Sequence, residues 1–172
     1  MDKAYIETVR LLLEAIPAVF KYPAFAMKGG TAINLFVEDM PRLSVDIDVV
    51  CTDYQAPREQ ALAAISTALM GARDRLRSAG LDGEVTSSNL GDETKLFIRR
   101  DRSQVKVEVN HVFRGTVLPP ASRSLGPEAR RVFTTEVSAP VLATSELYGS
   151  KLVAANDRSI LQPPPKAIPR RV

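Results

Sequence analysis

The sequence predicts an α+β fold in which a β-sheet is flanked by helices. Apolar residues recur at helical spacing over residues 4–20 and 57–79. Residues 43–51 and 104–113 instead alternate apolar and polar side chains, which is typical of half-buried strands. Because 45% of the 172 residues are hydrophobic, a core can form in one domain with at most a small helical addition.

The opening helix is followed by a predicted strand, a glycine turn and a second helix. The apolar segment Phe25–Met27 fits a short buried strand, and Gly29 and Gly30 come one residue after it. Thr31 is predicted to cap a helix that runs to about Val37.

The strand predicted over residues 43–51 has one apolar face and one acidic face. Its alternate apolar side chains point one way, and Ser44, Asp46 and Asp48 point the other. Neighbouring carboxylates repel each other, and a divalent cation relieves that repulsion. The two aspartates are therefore the minimum scaffold for a metal clamp of phosphoryl transfer. The alternative is a solvent-facing strand with ordinary surface acids.

The glycine pair predicts an anion site. Between a strand and a helix, Gly29 and Gly30 let the backbone approach a ligand, and their N–H groups, with the helix start, can bind a triphosphate. The alternative is a plain tight turn. The two features fit one mechanism: the turn would hold phosphates, and the acids one helix later would hold the metal that neutralises them.

A third carboxylate is expected from the strand over residues 104–113. Glu108 lies on its polar face and would converge on Asp46 and Asp48 if the two strands are neighbours. The alternative is a salt bridge from Glu108 to Lys106 or to an arginine. The chain has one cysteine and one histidine, which excludes a zinc site built from such residues, and carboxylates favour Mg²⁺ or Mn²⁺.

The remaining elements are predicted from shorter patterns. The helix over residues 57–79 ends at Gly80, and the strand over residues 94–100 forms a hairpin with the strand that follows it. A loop, a strand, a helix and a disordered proline-rich tail are predicted, in this order, over residues 114–131, 132–137, 144–156 and 159–172.

Several blocks of the sequence resemble the AbiEii/AbiGii-type toxin nucleotidyltransferases, which have the DNA polymerase β-like nucleotidyltransferase fold. These blocks are Lys28–Ala32, Arg42–Asp48, Lys106–Asn110, Ser145–Leu147 and Lys151–Arg158. The resemblance implies a nucleotidyltransferase core with a mixed sheet, the start of a C-terminal helical region, and a disordered tail, over residues 1–143, 144–158 and 159–172.

The resemblance also implies a role for each candidate residue. Asp46, Asp48 and Glu108 would bind Mg²⁺ or Mn²⁺ and act in catalysis. Lys151 would contact nucleotide phosphates, unless it is only a solvated lysine on a helix. The nucleotide would further be held by Lys28, Gly29, Gly30, Thr31, Arg42 and Ser44.

Substrates and partners follow from the same resemblance. NTP would be the donor, and a tRNA, another RNA or a protein would be the acceptor. A cognate antitoxin would be the partner in a toxin–antitoxin or phage-defence system. Arginines such as Arg73, Arg77 and Arg99 could guide RNA, or they could form local salt bridges. No membrane span is expected, and a cytoplasmic location is predicted.

The end of the chain departs from the family pattern. After a helix ending near Arg158, the family continues into an Arg-Asp-x-x-Asp motif and further helices, whereas this sequence turns to prolines. We therefore expect a truncated C-terminal helical part, from a reading frame shifted or cut near Arg158. Two hypotheses stay open. The first is a metal-dependent nucleotidyltransferase that moves a nucleotide from NTP to its acceptor. The second is a truncated, inactive domain that only binds nucleotide, RNA or an antitoxin.

Overall fold

A computed structural model of the chain describes residues 3–40, 44–87, 93–110 and 114–156. In these ranges the chain forms a seven-stranded mixed sheet and five α-helices, so the predicted fold class is confirmed. The helices are α1 (Lys3–Val19), α2 (Gly29–Ala32, continued by a π-helical turn, Ile33–Val37), α3 (Arg58–Ser78), α4 (Pro127–Phe133) and α5 (Thr144–Asn156). The strands are β1 (Phe25–Lys28), β2 (Asp46–Cys51), β3 (Asp82–Ser87), β4 (Glu93–Arg100), β5 (Ser103–Asn110), β6 (Ala121–Ser124) and β7 (Ser138–Val141).

The sheet brings together strands that are far apart in the sequence. Its strand order is β3-β4-β5-β2-β1-β7-β6. β2 pairs antiparallel with β1 on one side and parallel with β5 on the other. Since α3, β3 and β4 separate β2 from β5 along the chain, this parallel pairing requires a crossover, and the crossover places the two polar strands side by side at the centre of the sheet.

The hydrophobic core lies between one face of this sheet and the helices α1 and α3. Alternate residues of the central strands are buried on this face, including Ile47 and Val107. The apolar stripes of the two helices belong to the same buried cluster, for example Ile16 of α1 and Ile65 of α3. The intervening strand residues project to the opposite face, which is where the predicted acidic residues lie. Within the described ranges, no helix is both long and apolar enough to cross a membrane.

The structure corrects the predictions between β5 and α5. β6 and most of α4 lie in the segment predicted as a loop, and the strand predicted over residues 132–137 begins instead at Ser138 as β7. The apolar pattern does not reveal β3 or β6 because both are edge strands, and β6 is mostly exposed. Pro127 opens α4 at a position that suits proline, and Thr134 ends it in the left-handed region with φ of 50°. The helical turn therefore takes Val132 and Phe133 out of the predicted strand.

Thr31 does not cap α2, contrary to the prediction. The helix begins at Gly29 with Lys28 in the N-cap position, and no described side chain caps it. The buried Thr31 hydroxyl instead donates a 2.5 Å hydrogen bond to the backbone carbonyl of Asp46. This bond ties the glycine turn to the strand that carries the two aspartates. The predicted helix end at Val37 is confirmed.

Two predictions about the C-terminal part stay predictions. The division of the chain at residue 143 stays a prediction, although a helix does occupy Thr144–Asn156 as expected. The tail over residues 159–172 and the expected truncation near residue 158 lie outside the described residues.

Replacing Thr31 by valine should test the link between α2 and β2. The substitution keeps the branched shape but removes the hydroxyl that bonds the Asp46 carbonyl. We expect the free energy of unfolding, measured in urea, to fall by about 1–2 kcal/mol. Thr31→Ser retains the hydroxyl and should remain closer to the wild type. Equal stability of Thr31→Val and the wild type would show that the bond contributes nothing.

Candidate active site

The candidate site is a row of charged residues on the open face of the sheet. Directly paired residues of neighbouring strands project to the same face. Across β1, β2, β5 and β4, the paired residues are Lys28, Asp48, Glu108 and Lys95. Asp46 lies in the adjacent row, opposite Lys106 of β5. β5 is therefore the neighbour of β2, as the expected convergence of Glu108 on the two aspartates requires.

A small cleft opens in this row. It has a volume of about 90 Å³ and is lined by Lys28, Asp48, Glu108, Val109 and Asn110. That volume accommodates a few water molecules or an ion with part of its hydration shell, but not a whole nucleotide. A nucleotide bound here would lie across the open face, with only an ion between the carboxylates.

Among the described carboxylates, Asp48 is the one whose pKa is raised. Burial, the largest cause, raises the pKa of Asp48 above its ordinary value of 3.8. Lys28 opposes this shift, Glu108 and Asp46 add to it, and Lys106 opposes it weakly. A carboxylate that is partly removed from water and stands beside two other carboxylates is stabilised by a cation.

Gly29 lies directly against the Asp48 carboxylate. Its φ is +76°, and a Cβ atom built there would lie 2.1 Å from Oδ2 of Asp48. Only glycine therefore allows both this backbone conformation and the observed place of the carboxylate. This is a packing reason for glycine that the sequence analysis did not contain. The role of Gly29 and Gly30 in binding phosphates stays a prediction.

Glu108 is held by two lysines. Its Oε1 atom lies 3.1 Å from Nζ of Lys95 and 3.1 Å from Nζ of Lys106. Burial is the largest single influence and acts to raise its pKa, but hydrogen bonds from Lys95 and Lys106 outweigh it and hold the pKa of Glu108 below its ordinary value of 4.5. The salt bridge to Lys106, named as the alternative for Glu108, is thus present.

The residues of the site fit a hard divalent cation in their chemistry, but they do not form a closed set of ligands. Asp46 and Asp48 share a face, and Asp48 is a desolvated carboxylate in need of a counter-charge. Among the described residues, however, no group of three or more His, Cys, Asp and Glu side chains is arranged to hold a metal ion. The third acid, Glu108, is paired with lysines instead.

The other predicted site residues lie around this row or outside the described chain. Ser44 is half-buried two residues before Asp46, and Lys151 is exposed on α5, the helix that packs against α2. No ion pair joins Lys151 to another described residue. Arg42 lies outside the described residues. The functional roles proposed for these residues stay predictions.

Several arginines that were considered as RNA guides form local ion pairs. Arg73 pairs with Asp74 at 2.8 Å, and Arg99 pairs with Glu84 at 2.7 Å. Arg77 is exposed on α3 and remains a candidate. Arg73 and Arg99 therefore form the local salt bridges that were the alternative to RNA contact.

Lys95 is the site residue that the sequence analysis missed. The predicted strand ends at residues 100 and 104 would pair Lys95 with Val109, whereas the structure turns at Asp101 and Arg102 and pairs Lys95 with Glu108. The sequence thus predicts the hairpin, but the register that places Lys95 beside the third acid comes from the structure.

A glycine turn beside carboxylate-bearing central strands of a mixed sheet suits a protein that binds phosphate groups next to a cation. The chain belongs to the AbiEii family of nucleotidyl transferase toxins of type IV toxin–antitoxin systems, since the model of that family matches residues 10–166. The resemblance stated from the sequence is thus confirmed. No curated protein matches the sequence significantly.

A solved structure supports the fold. The chain is similar to MenT4, a nucleotidyltransferase toxin from Mycobacterium tuberculosis H37Rv, with a TM-score of 0.58 and 19% sequence identity. The match covers 87% of this chain and 51% of MenT4, so the chain spans about half the length of that protein. At this identity, the likeness shows the shared fold alone.

Two glycines with left-handed backbones allow a matched test of the contact at Gly29. Gly80 has φ of +81°, and a Cβ atom built there would meet no atom within 4 Å, whereas the same atom at Gly29 meets Asp48. Gly80→Ala should lower the free energy of unfolding by about 1–2 kcal/mol through backbone strain alone. Gly29→Ala should lower it further and weaken Mn²⁺ binding, measured by electron paramagnetic resonance. Similar losses of stability and unchanged Mn²⁺ binding in both variants would contradict the contact.

Asp48→Asn should stabilise the metal-free protein at neutral pH. Because the folded-state pKa of Asp48 is raised, the folded protein binds this proton more tightly than the unfolded chain. Ionisation of Asp48 therefore lowers the free energy of unfolding as pH rises from the ordinary pKa of the group towards the raised pKa. This loss of stability persists at higher pH. Thermal melts in EDTA should show a higher midpoint for the variant at pH 7.5. The difference between the melting midpoints of the variant and the wild type should narrow as pH falls. A variant that is less stable than the wild type at pH 7.5 would refute the prediction.

Proposed function

We propose that this chain is a metal-dependent nucleotidyltransferase that transfers a nucleotide from NTP to an RNA acceptor, and that it acts as a toxin. The observation that carries the proposal is the desolvated Asp48 carboxylate, which lies against the Gly29 backbone and beside Glu108 on the open face. Membership of the AbiEii family supports the reaction class. The proposal includes tRNA as one acceptor to be tested, and phage defence as one setting.

The predicted residues of the site have distinct roles in the proposed transfer. Gly29 and Gly30 would bind the triphosphate through backbone N–H groups, next to the acids. Asp46 and Asp48 would hold Mg²⁺ or Mn²⁺, with Glu108 as the third ligand. When bound, the cation supplies neutralisation of the triphosphate and of charge on the attacking and leaving oxygens. Lys28, at the end of β1, lies next to Asp48 and adds a positive charge near the phosphates.

The reaction is a displacement at the α-phosphorus. An acceptor hydroxyl oxygen forms a bond to the α-phosphorus of NTP, and the bond from that phosphorus to the bridging oxygen breaks. Pyrophosphate leaves with the electron pair, and solvent takes up the hydroxyl proton. In such a transfer the protein contributes mainly position and charge rather than covalent chemistry, which matches a site made of carboxylates, lysines and a glycine turn.

The rival proposal is a domain that only binds nucleotide, RNA or an antitoxin. One observation keeps it open: no three described acids close around a metal position. Nucleotide binding needs only the glycine turn, Asp46 and Asp48. Transfer also needs Glu108, whose carboxylate is engaged by lysines in this structure. An antitoxin partner is proposed on family membership alone.

A transfer assay with matched variants separates these proposals. The chain is incubated with each labelled NTP, Mg²⁺ or Mn²⁺, and either total tRNA or a protein extract. We expect label on RNA, lost by at least 100-fold in Asp46→Asn/Asp48→Asn and in Glu108→Gln, as for the removal of preorganised electrostatic groups. Asp74→Asn/Asp82→Asn removes the same charge as the double variant from exposed positions and should leave transfer unchanged.

Each other outcome has a defined meaning. Label on protein would retain the transferase and replace the acceptor. Metal-dependent NTP binding without label on either acceptor would favour the binding-only domain. Transfer that survives in Asp46→Asn/Asp48→Asn would remove the acidic pair from the active site.

A further inference from the structure

We propose that Lys95 and Lys106 are built-in counter-cations that hold Glu108 in the metal-free protein and must release it before it joins Asp46 and Asp48 as a metal ligand. The inference rests on the proposed function, because it concerns the same site. It adds two positioning residues to that site and makes the affinity for metal depend on them.

The two lysines reach one oxygen of Glu108 from different directions. Lys95 lies opposite Glu108 across the β4–β5 pair, and Lys106 lies two residues before it on β5, so all three project to the open face. Both ammonium groups lie 3.1 Å from Oε1. A carboxylate oxygen that already faces two ammonium groups is a poor metal ligand, since the cation would have to displace them.

The charge on the other side of Glu108 acts in the same direction. Asp48 is its neighbour in the row across β2 and β5, and the two carboxylates repel each other. Repulsion from Asp48 and attraction to Lys95 both draw Glu108 towards β4, and Lys106 holds the same carboxylate from its own strand. This balance gives a physical reason why the described acids do not form a group of three. A cation held by Asp48 turns the repulsion into an attraction and favours the opposite arrangement.

The ion pairs are suited to exchange because they are not buried. About a third of each side chain is exposed: 32% for Lys95, 30% for Lys106 and 32% for Glu108. Ion pairs at this exposure are weak and open readily to water. The lysines therefore offset the charge of the third acid in the metal-free protein without locking it there.

The test measures metal binding without nucleotide or acceptor. Mn²⁺ alone is titrated against the full chain, and the free ion is followed by electron paramagnetic resonance. In Lys95→Met/Lys106→Met, Glu108 loses both counter-cations, so the dissociation constant for Mn²⁺ should fall roughly three- to tenfold. Lys3→Met/Lys21→Met removes the same charge from two exposed positions outside the row and should change it less than twofold.

A double-mutant cycle shows whether the lysines act through Glu108. Their removal in a Glu108→Gln background should no longer tighten Mn²⁺ binding, because no carboxylate remains at position 108 for the lysines to release. Tightening that persists in that background would mean a general field effect and would overturn the proposal. Unchanged or weaker binding in Lys95→Met/Lys106→Met would overturn it too. Both single lysine variants are measured as well, so that the result does not depend on the double variant folding.

The failure of this inference is separable from the failure of the proposed function. If the wild type binds no Mn²⁺, or Asp48→Asn binds it equally well, the metal site is wrong and both proposals fall. If the wild type binds Mn²⁺ through Asp48 while the lysine variants bind it with unchanged affinity, only the role of Lys95 and Lys106 is refuted.

Discussion

The candidate site depends on the parallel pairing of β2 with β5. Its register runs from Asp46 opposite Lys106 to Val50 opposite Asn110. The same pairing buries the apolar side chains of both strands beneath α1 and α3 and leaves the acids on the open face. A slip of one residue would bury Asp48 and expose valines, so the hydrophobic core holds the site in register. The packing of one face thereby specifies the chemistry of the other.

The two acids Glu108 and Asp48 on the open face are neutralised by nearby bases to different extents. Glu108 has two lysines beside it, and this compensation lets a third acid stand in the row without destabilising the metal-free chain. Asp48 is compensated less: Lys28 lies next to it, but the Gly29 backbone packs against its carboxylate, and burial outweighs the favourable charge of Lys28. Unfavourable charge concentrated in one cleft is the pattern expected of a functional site. Among the described carboxylates, Asp48 is the one whose pKa is raised, and it lies where the proposed cation would bind.

The elements that could be predicted from the sequence are those whose pattern lies within one short segment. The glycine turn, the alternation of β2 and the polar face of β5 are properties of short segments, and the fold class followed from them. Edge strands such as β3 and β6 gave no comparable signal, because their burial is decided by neighbours that are distant in the chain. The prediction for Thr31 was wrong for the same reason: its hydroxyl has a partner on another strand rather than at its own helix start. Lys95 became visible only when the hairpin register was joined to the β2–β5 pairing.

The two functions proposed for this chain differ in what they require of Glu108. A domain that only binds a metal–nucleotide complex has use for Asp46, Asp48 and the glycine turn, and in such a domain any side chain could stand opposite Asp48 on β5. Here the position is a carboxylate, which adds repulsion to an already desolvated partner and is compensated by two lysines from the same face. Glu108 makes the negative charge of Asp48 less favourable, and the two lysines offset the charge of Glu108 itself. This arrangement is explained if Glu108 is needed as a ligand once the cation binds. This is the reason for preferring transfer over binding alone.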